Sequence, residues 1–406
     1  MTMTNLYSRK FPVDQRVYAA KGDDPYDNTR SVLKQIDLSF LKHKRVLLKP
    51  NIGRLAPQGQ GIITDARVVA AAIDAFAEIG AEVVIGESPI VGVDTFEAFE
   101  TAGITKVAND RNCKLIDLNE GKYTRLPVPE GLAIQELKAC SPIFEYDFLV
   151  SIPVMKMHMH TGVSLSIKNM KGCLWRRSKV DLHMLPPIAG MEEKPINIAI
   201  ADMSGVLRPH LSIIDGTIGM EGLGPSAGKA RPVGVVLAGL DPFAVDAVAC
   251  RLMGTVAEKI PHLAMGAERG YGVIDPDRIQ VSPDHWEDWI TPFLPPPENL
   301  SIEFPNIKVF DKNSCSACQS TLLLFLKRYR KVILDYFPKD QVIRFAIGKG
   351  HESVPETTIC IGNCTANIGK TNTFIKGCPP VASEILYEIT GELSVDLLDG
   401  KSETPD

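Results

Sequence analysis

Two apolar runs flanking one amphipathic helical pattern constrain this chain's fold more than any other feature. Val46-Leu47-Leu48 reads as a buried strand. Thr64 or Asp65 then offers a helix cap, and Val69, Ala72, Ile73, Phe76 and Ile79 follow at helical spacing up to Gly80. Val83-Val84-Ile85 is the next strand, ending at Gly86-Glu87-Ser88-Pro89. Strand, helix, strand with short links is a βαβ unit, which implies parallel pairing. Further strands are expected at 114–118, 148–152, 211–214 and 233–238, and a helix over 244–253. The expected class is α/β: a large parallel or mixed sheet with flanking helices.

A chain of 406 residues is too long for one ordinary domain. The proline-rich stretch 292–299 reads as a linker, and Ile307-Lys308-Val309-Phe310 starts a new strand. The expected division is 1–303, a large α/β domain, and 304–406, a small α/β domain. Residues 182–195 hold three prolines and a glycine and read as a mobile or ligand-covering loop.

Lysine and arginine total 44 against 49 acidic residues, a formal charge of −5. That argues against nonspecific nucleic-acid binding. No stretch approaches the roughly 20 apolar residues of a membrane helix, so no membrane span is expected. Residues 1–9 carry no apolar core of a signal peptide, so the expected address is cytoplasmic. A cytoplasmic chain does not use its nine cysteines as a disulfide framework.

The cysteines are unevenly placed. Cys113, Cys140, Cys173 and Cys250 are scattered, whereas Cys315, Cys318, Cys360, Cys364 and Cys378 crowd into the last hundred residues. Cys318 opens an amphipathic helix with Leu322, Phe325, Leu326, Tyr329, Val332, Ile333 and Tyr336 on one face. The later cysteines follow strand-like runs at 357–361 and 373–375. Closely spaced thiolates on loops suit an iron–sulfur cluster. Structural zinc usually shows two compact Cys-x-x-Cys knuckles, and only one is present. A redox dithiol of Cys315 and Cys318 would leave three neighbouring cysteines unexplained.

The order Cys-x-x-Cys, Gly-x-Cys, Gly-Cys-Pro-Pro resembles the proximal 4Fe-4S site of NiFe-hydrogenase small subunits and the related complex I subunit. The matching positions are Cys315, Cys318, Cys364 and Cys378. The resemblance implies a 4Fe-4S cluster on these four thiolates and leaves Cys360 as a spare. It departs at Thr365, where those proteins usually have alanine, and in its shorter intervals. The hydrogenase activity does not carry over.

The large domain resembles a family catalogued as domain of unknown function 362. The resemblance rests on Lys49-Pro50-Asn51, Gly86-Glu87-Ser88-Pro89, Lys156-x-His158 and the run from Ile167 through Lys168, Asn169 and Lys171 to Gly172. It continues through Asp215-Gly216, Glu221-Gly222-x-Gly224-Pro225 and Asp241-Pro242-x-Ala244-x-Asp246. It implies a fold and an association with iron–sulfur modules, not a reaction.

Lys49, Asn51 and Glu87 follow strands, and ligands of parallel α/β sheets sit beyond the carboxyl ends of strands. Lys156, His158 and His160 share a face if 154–160 is extended. Three basic groups could grip an anion, whereas two histidines with only His183 nearby make a poor metal site. His158 could serve as a general acid or base. Lys168, Asn169 and Lys171, with Trp175-Arg176-Arg177, extend a basic patch suited to phosphate or carboxylate. The alternative for these basic residues is a solvated edge or face. The glycine-rich run 219–229 fits neither nucleotide-binding motif and reads as a substrate-covering loop or a flexible turn. Asp241 reads as the cap of the 244–253 helix.

The function expected is an iron–sulfur redox enzyme. Lys156, His158 and Glu87 would be catalytic, and Lys49, Asn51, Lys168, Asn169 and Lys171 would bind a small anionic substrate. A low-potential electron donor protein would feed the cluster. The alternatives are an electron carrier or adaptor, a lyase using the cluster as a Lewis acid, and a zinc-stabilised binding protein. The discriminator between enzyme and adaptor is a deep polar pocket. A second cofactor would leave no motif, and the chain is compatible with a homodimer.

Overall fold

A computed structural model of the protein describes residues 14–296, 304, 306–339 and 341–392. The chain divides into two compact units, Met1–Pro296 and Pro297–Asp406. The expected linker beyond residue 296 and the expected boundary at 303 fall outside the described residues.

The first unit contains β1 Arg16–Lys21, β2 Arg45–Pro50, β3 Glu82–Glu87, β4 Lys114–Asp117, β5 Tyr123–Pro127 and β6 Glu136–Cys140. Then come β7 Phe148–Ile152, β8 Val154–His158, β9 Gly162–Ser164, β10 Leu211–Glu221, β11 Lys229–Gly239 and β12 Gln280–Ser282. Its helices are α1 Pro25–Leu33, α2 Ala66–Glu78, α3 Thr95–Thr101, α4 Ile104–Asp110, α5 Ser166–Asn169, α6 Ser178–Asp181, α7 Pro195–Val206, α8 Pro242–Leu252 and α9 Pro261–Glu268.

Ten of these strands form one mixed sheet, in the order β12-β1-β11-β10-β7-β2-β3-β4, with β8 on β10 and β9 on β8. β10–β7, β7–β2, β2–β3 and β3–β4 pair in parallel. β1–β11, β10–β11 and β8–β9 pair antiparallel. β5 and β6 form a separate ribbon.

Adjacent strand residues feed opposite cores, as a pleat of period two requires. Leu47, Val84 and Leu149 enter one core; Leu48, Ile85 and Val150 enter the other. Helix α2 covers the second core with Val69, Ala72, Ile73 and Phe76. Its cap is Asp65, whose carboxylate accepts the Arg67 N–H at 2.8 Å. Thr64 is not the cap. Its hydroxyl accepts from Asn51 N at 2.8 Å and donates to Ile152 O at 2.7 Å, tying the ends of β2 and β7 together. Gly80 turns the chain at φ 81°, where a side chain would be strained.

Residues 222–228 of the glycine-rich run form a turn, one of the two readings expected, while its flanks are strand. Gly219, Met220 and Glu221 pair with Arg231, Ala230 and Lys229, so the run is the tip of the long β10–β11 hairpin. Both strands are longer than their apolar runs. Asp241 caps α8 as expected, accepting from Phe243 N and Ala244 N, and it also accepts from Val273 N.

The second unit has β13 Ile307–Asp311, α10 Ser316–Leu334, β14 Ile343–Ile347, β15 Thr358–Ile361, β16 Thr373–Ile375 and α11 Ala382–Thr390. Its four strands lie in sequence order and pair in parallel. Leu322, Phe325, Leu326 and Ile333 of α10 are buried, as are Phe345, Ile359, Ile361 and Ile375 of the sheet. Burying each such side chain contributes about 1.5–3 kcal/mol. Tyr336 lies beyond the helix and is exposed, so the apolar face is one turn shorter than expected.

Candidate active site

In the first sheet β3 and β4 follow β2 on one side, while β7 lies on its other side. The order therefore reverses between β2 and β7, and such switch points open a crevice at the carboxyl ends of the strands. A cavity of about 220 Å³ lies there, lined by Lys49, Asn51 and Arg54 at and beyond the end of β2, Glu87 and Ser88 at the end of β3, Lys156 and His158 of β8, and Lys168, Asn169 and Lys171 around α5. Lys179, His183 and Pro225 also line it.

Every residue of the substrate and catalytic sets expected from the sequence thus lines one cavity. Their roles divide. Lys49 and Glu87 are each 1% exposed. Lys49 Nζ donates to Glu87 at 3.0 Å, to Pro50 O at 3.0 Å and to Asn169 Oδ1 at 3.2 Å. The Glu87 carboxylate also accepts from Ile52 N at 2.9 Å and Ser88 N at 2.8 Å. All three protons of the ammonium are used, and both carboxylate oxygens are engaged. This pair lies against the floor of the cavity, with neither carboxylate oxygen left without a partner. A Cβ on Gly172 would sit 2.5 Å from Lys49 Nζ and 2.8 Å from Glu87 Oε1, so only glycine lets the 171–172 backbone close over the pair.

The walls are cationic. Lys156 Nζ donates to Asn51 Oδ1 at 2.5 Å and to Ile62 O at 2.8 Å. Burial, then neighbouring Arg54, brings its pKa down to about 7. Lys171 Nζ lies 2.5 Å from His183 Nε2, and burial followed by the charge of Lys179 lowers it to about 7. His158 and His183 are pushed well below the ordinary histidine value, first by burial and then by lysine charges. Both imidazoles are therefore neutral near pH 7.

The surface-edge alternative for these basic residues is overturned, because every residue of β8 is buried. The single face expected for Lys156, His158 and His160 is also corrected. β8 ends at His158, and His160 lies in the turn to β9. The His160 ring packs 5.9 Å from His158 and 6.2 Å from His183, centroid to centroid. Arg176 is exposed and does not line the cavity. Arg54 and Lys179 do, and sequence spacing gave no hint of either. Their side chains reach the cavity from irregular or short segments with no periodicity. The expected loop 182–195 delivers His183 to the wall.

Two lysines held near pH 7 give a sign to anion binding. An anion stabilises their protonated forms, so its affinity falls as pH rises through about 7 towards the higher pKa values of the complex. Sulfate keeps its charge over this range. Its affinity for the protein should drop about tenfold per pH unit per lysine between pH 7 and 9, measured by calorimetric titration. A flat profile would mean that neither lysine changes protonation on binding.

In the second unit Cys315 caps α10 and Cys318 lies in its first turn. The Cys318 thiol is in hydrogen-bond reach of both Cys315 and Cys364. These contacts hold the Cys315 and Cys364 thiols down to about 6 and push Cys318 up. Gly362, at φ 94°, brings the chain within 3.4 Å of Cys318 Sγ and 3.7 Å of Cys364 Sγ, measured from where its Cβ would be. Asn363 fastens the loop before Cys378: its N–H donates to Gly377 O at 2.8 Å and its side chain accepts from Gly377 N at 3.0 Å. Cys360 is apart, buried in β15 with its thiol near Thr358 O. Thr365 is buried, with its hydroxyl on Gly362 O. Among the described residues no group of three or more His, Cys, Asp or Glu side chains stands at metal-ligand geometry. Thiols suit a soft metal in donor chemistry, and Cys315, Cys318 and Cys364 are neighbours, but the described sulfurs do not stand as a ligand set.

Among the described residues no helix is long and apolar enough to cross a membrane. The chain is 28% identical over 220 residues to the Thylakoid-associated protein sll1697 of Synechocystis sp. (strain ATCC 27184 / PCC 6803 / Kazusa), covering 54% of this chain and 66% of that protein. It thus spans just under two thirds of that relative's length. It also matches the structure of the lactate racemase apoprotein from Thermoanaerobacterium thermosaccharolyticum with a TM-score of 0.41 at 14% identity, over 61% of this chain and 60% of the other. A family profile described as "Domain of unknown function (DUF362)" matches residues 46–251. That stretch is half of the chain and contains the β2, β3, β8 and α5 residues of the cavity, so the chain belongs to the DUF362 family.

Proposed function

We propose that this protein is an iron–sulfur enzyme that transforms a small anionic substrate in the cavity at the β2–β7 switch point. The observation that carries the reading is the cavity itself, walled by Arg54, Lys156, Lys168, Lys171 and Lys179 with a single, already paired carboxylate. So many basic groups, able to hold or take up protons beside an anion, in a space of about 220 Å³ suit a compact carboxylate or phosphate. A cavity lined by this many basic side chains has no use in a pure electron carrier, which favours an enzyme over an adaptor.

In the same reading Cys315, Cys318, Cys364 and Cys378 hold a 4Fe-4S cluster in the second unit. When bound, such a cluster supplies one electron at a time at low potential. An external low-potential donor protein would feed it. The support is the convergence of three thiols, the glycine at Gly362 and the Asn363 tether that keeps the Cys378 loop beside them.

The test is elemental. Protein purified without oxygen should contain about four irons and four acid-labile sulfides per chain, and show a paramagnetic signal after reduction. About one zinc and no sulfide would remove the redox half of the reading. Sulfate or phosphate binding that is lost in Lys156→Ala tests the cavity separately.

A further inference from the structure

Four of the five lysines lining the cavity have visible employment. Lys49 is paired with Glu87, Lys156 is bonded to Asn51 and Ile62 O, Lys171 lies on His183, and Lys179 donates to Asn119 Oδ1 at 3.3 Å. Lys168 is different. It lines the same cavity, is 8% exposed, and its Nζ has no hydrogen-bond or ion-pair partner among the described residues. An unpaired ammonium in such a place is costly, and the group sheds its proton instead. Burial first, then Lys171 and Lys156, push its pKa well below the ordinary lysine value. Desolvation beside other basic groups favours the free amine, which is the nucleophilic form.

Its support is rigid. Lys168 sits on α5, whose leading N–H groups are held by the buried Asp246 carboxylate: Ser166 N at 2.8 Å and Ile167 N at 3.0 Å. Arg54 reaches the same cavity and has no hydrogen-bond or ion-pair partner among the described residues. Its guanidinium stays charged and presents a fork that matches a carboxylate. His158, held neutral on the adjoining wall, accepts the His160 N–H at Nδ1 at 3.1 Å, so its Nε2 carries the hydrogen and can donate a hydrogen bond to a substrate oxygen.

We propose that Lys168 is a nucleophilic lysine that forms an imine with the carbonyl carbon of a small oxo acid, whose carboxylate is held by Arg54. The Nζ lone pair adds to the carbonyl carbon, and the π pair moves to the oxygen, which takes a proton. The resulting carbinolamine loses its hydroxyl with a proton as water, leaving C=N. Amine plus carbonyl gives imine plus water, and no oxidant or reductant enters. The imine draws electrons from the adjacent carbon, which readies that carbon for proton or electron transfer. This inference rests on the anion-binding reading of the cavity.

The test uses the full chain purified without oxygen. It is incubated with pyruvate, glyoxylate or 2-oxoglutarate and reduced with cyanoborohydride, and the adducts are located by peptide mass spectrometry. The expected result is an added mass equal to the acid less one oxygen. It should sit on Lys168, form at least tenfold faster than on surface lysines, slow in Arg54→Met and vanish in Lys168→Arg. Circular dichroism checks that the variants fold. Acetone, which lacks the carboxylate, should label Lys168 poorly. Labelling spread over surface lysines, or none at Lys168 with any of the three acids, would overturn the imine. If sulfate still binds in that case, the anion-binding reading survives; if sulfate also fails to bind, both fall.

Discussion

Replacing Glu87 with alanine should lower the stability of the first unit by about 3–5 kcal/mol, the range for removing one partner of a buried ion pair. The Lys49 and Glu87 side chains are 1% and 2% exposed and lie 3.0 Å apart. Without the carboxylate, the Lys49 ammonium keeps only two neutral oxygens, and the Ile52 and Ser88 N–H groups lose their acceptor. The unpaired charge dominates this loss, because an orphaned buried donor costs about 1–3 kcal/mol and a charge more. Two further variants separate the terms. Glu87→Gln keeps an acceptor and should lose less. Adding Lys49→Met to Glu87→Ala should recover part of the loss, since it removes the stranded charge. Urea unfolding followed by tryptophan fluorescence reads this unit alone, because Trp175, Trp286 and Trp289 all lie within it. A loss under about 1 kcal/mol for Glu87→Ala would mean that the pair behaves as an exposed one.

The same pair marks how far the sequence could be read. Apolar runs of three to five residues located β2, β3 and β7, because a strand buried on both faces shows as continuous hydrophobicity. The strand-end rule then placed Lys49, Asn51 and Glu87 in one crevice. It did not give their roles. Whether a lysine and a glutamate 38 positions apart saturate each other or stay free depends on a third element, the 169–172 backbone, closing over them. Lys156 and His158 were legible through alternation, and His160 was not, because nothing in the sequence marks β8 as ending at His158. Arg54, Lys179 and His183 come from segments without period, where only tertiary packing aims a side chain. The 219–229 run was legible in part. Its glycines marked the turn at 222–228, but not that the pairing of Gly219 with Arg231 and of Glu221 with Lys229 carries the ladder up to that turn. A hairpin of that length is fixed by cross-strand partners, not by local propensity.

Single cysteine substitutions should divide the second unit's thiols into two classes with nothing between them. Cys318→Ala, Cys364→Ala and Cys378→Ala should each leave protein with iron and sulfide far below one cluster per chain. Cys360→Ala should retain the full complement. The reasoning is positional. Cys318 is within hydrogen-bond reach of both Cys315 and Cys364, so it stands at the centre of the convergent set. Cys378 follows Gly377, which Asn363 fastens next to Cys364. Cys360 lies inside β15, between residues whose backbone is engaged with β14 and β16, and its thiol faces Thr358 O. Bringing it to the other sulfurs would require breaking the ladder on both sides, at about 0.5–1.5 kcal/mol for each hydrogen bond lost. A buried thiol held in a central strand is inert, whereas Cys315 and Cys364, held low by their contacts with Cys318, have the thiolate character that ligation needs. Asn363→Ala offers a graded control. It removes the side-chain half of the tether without touching a sulfur, so it should weaken cluster retention during purification while leaving assembly possible. Iron loss in Cys360→Ala together with retention in Cys364→Ala would exchange the two in the ligand set. Full retention in every single variant would place the metal elsewhere and separate the converging thiols from any cluster.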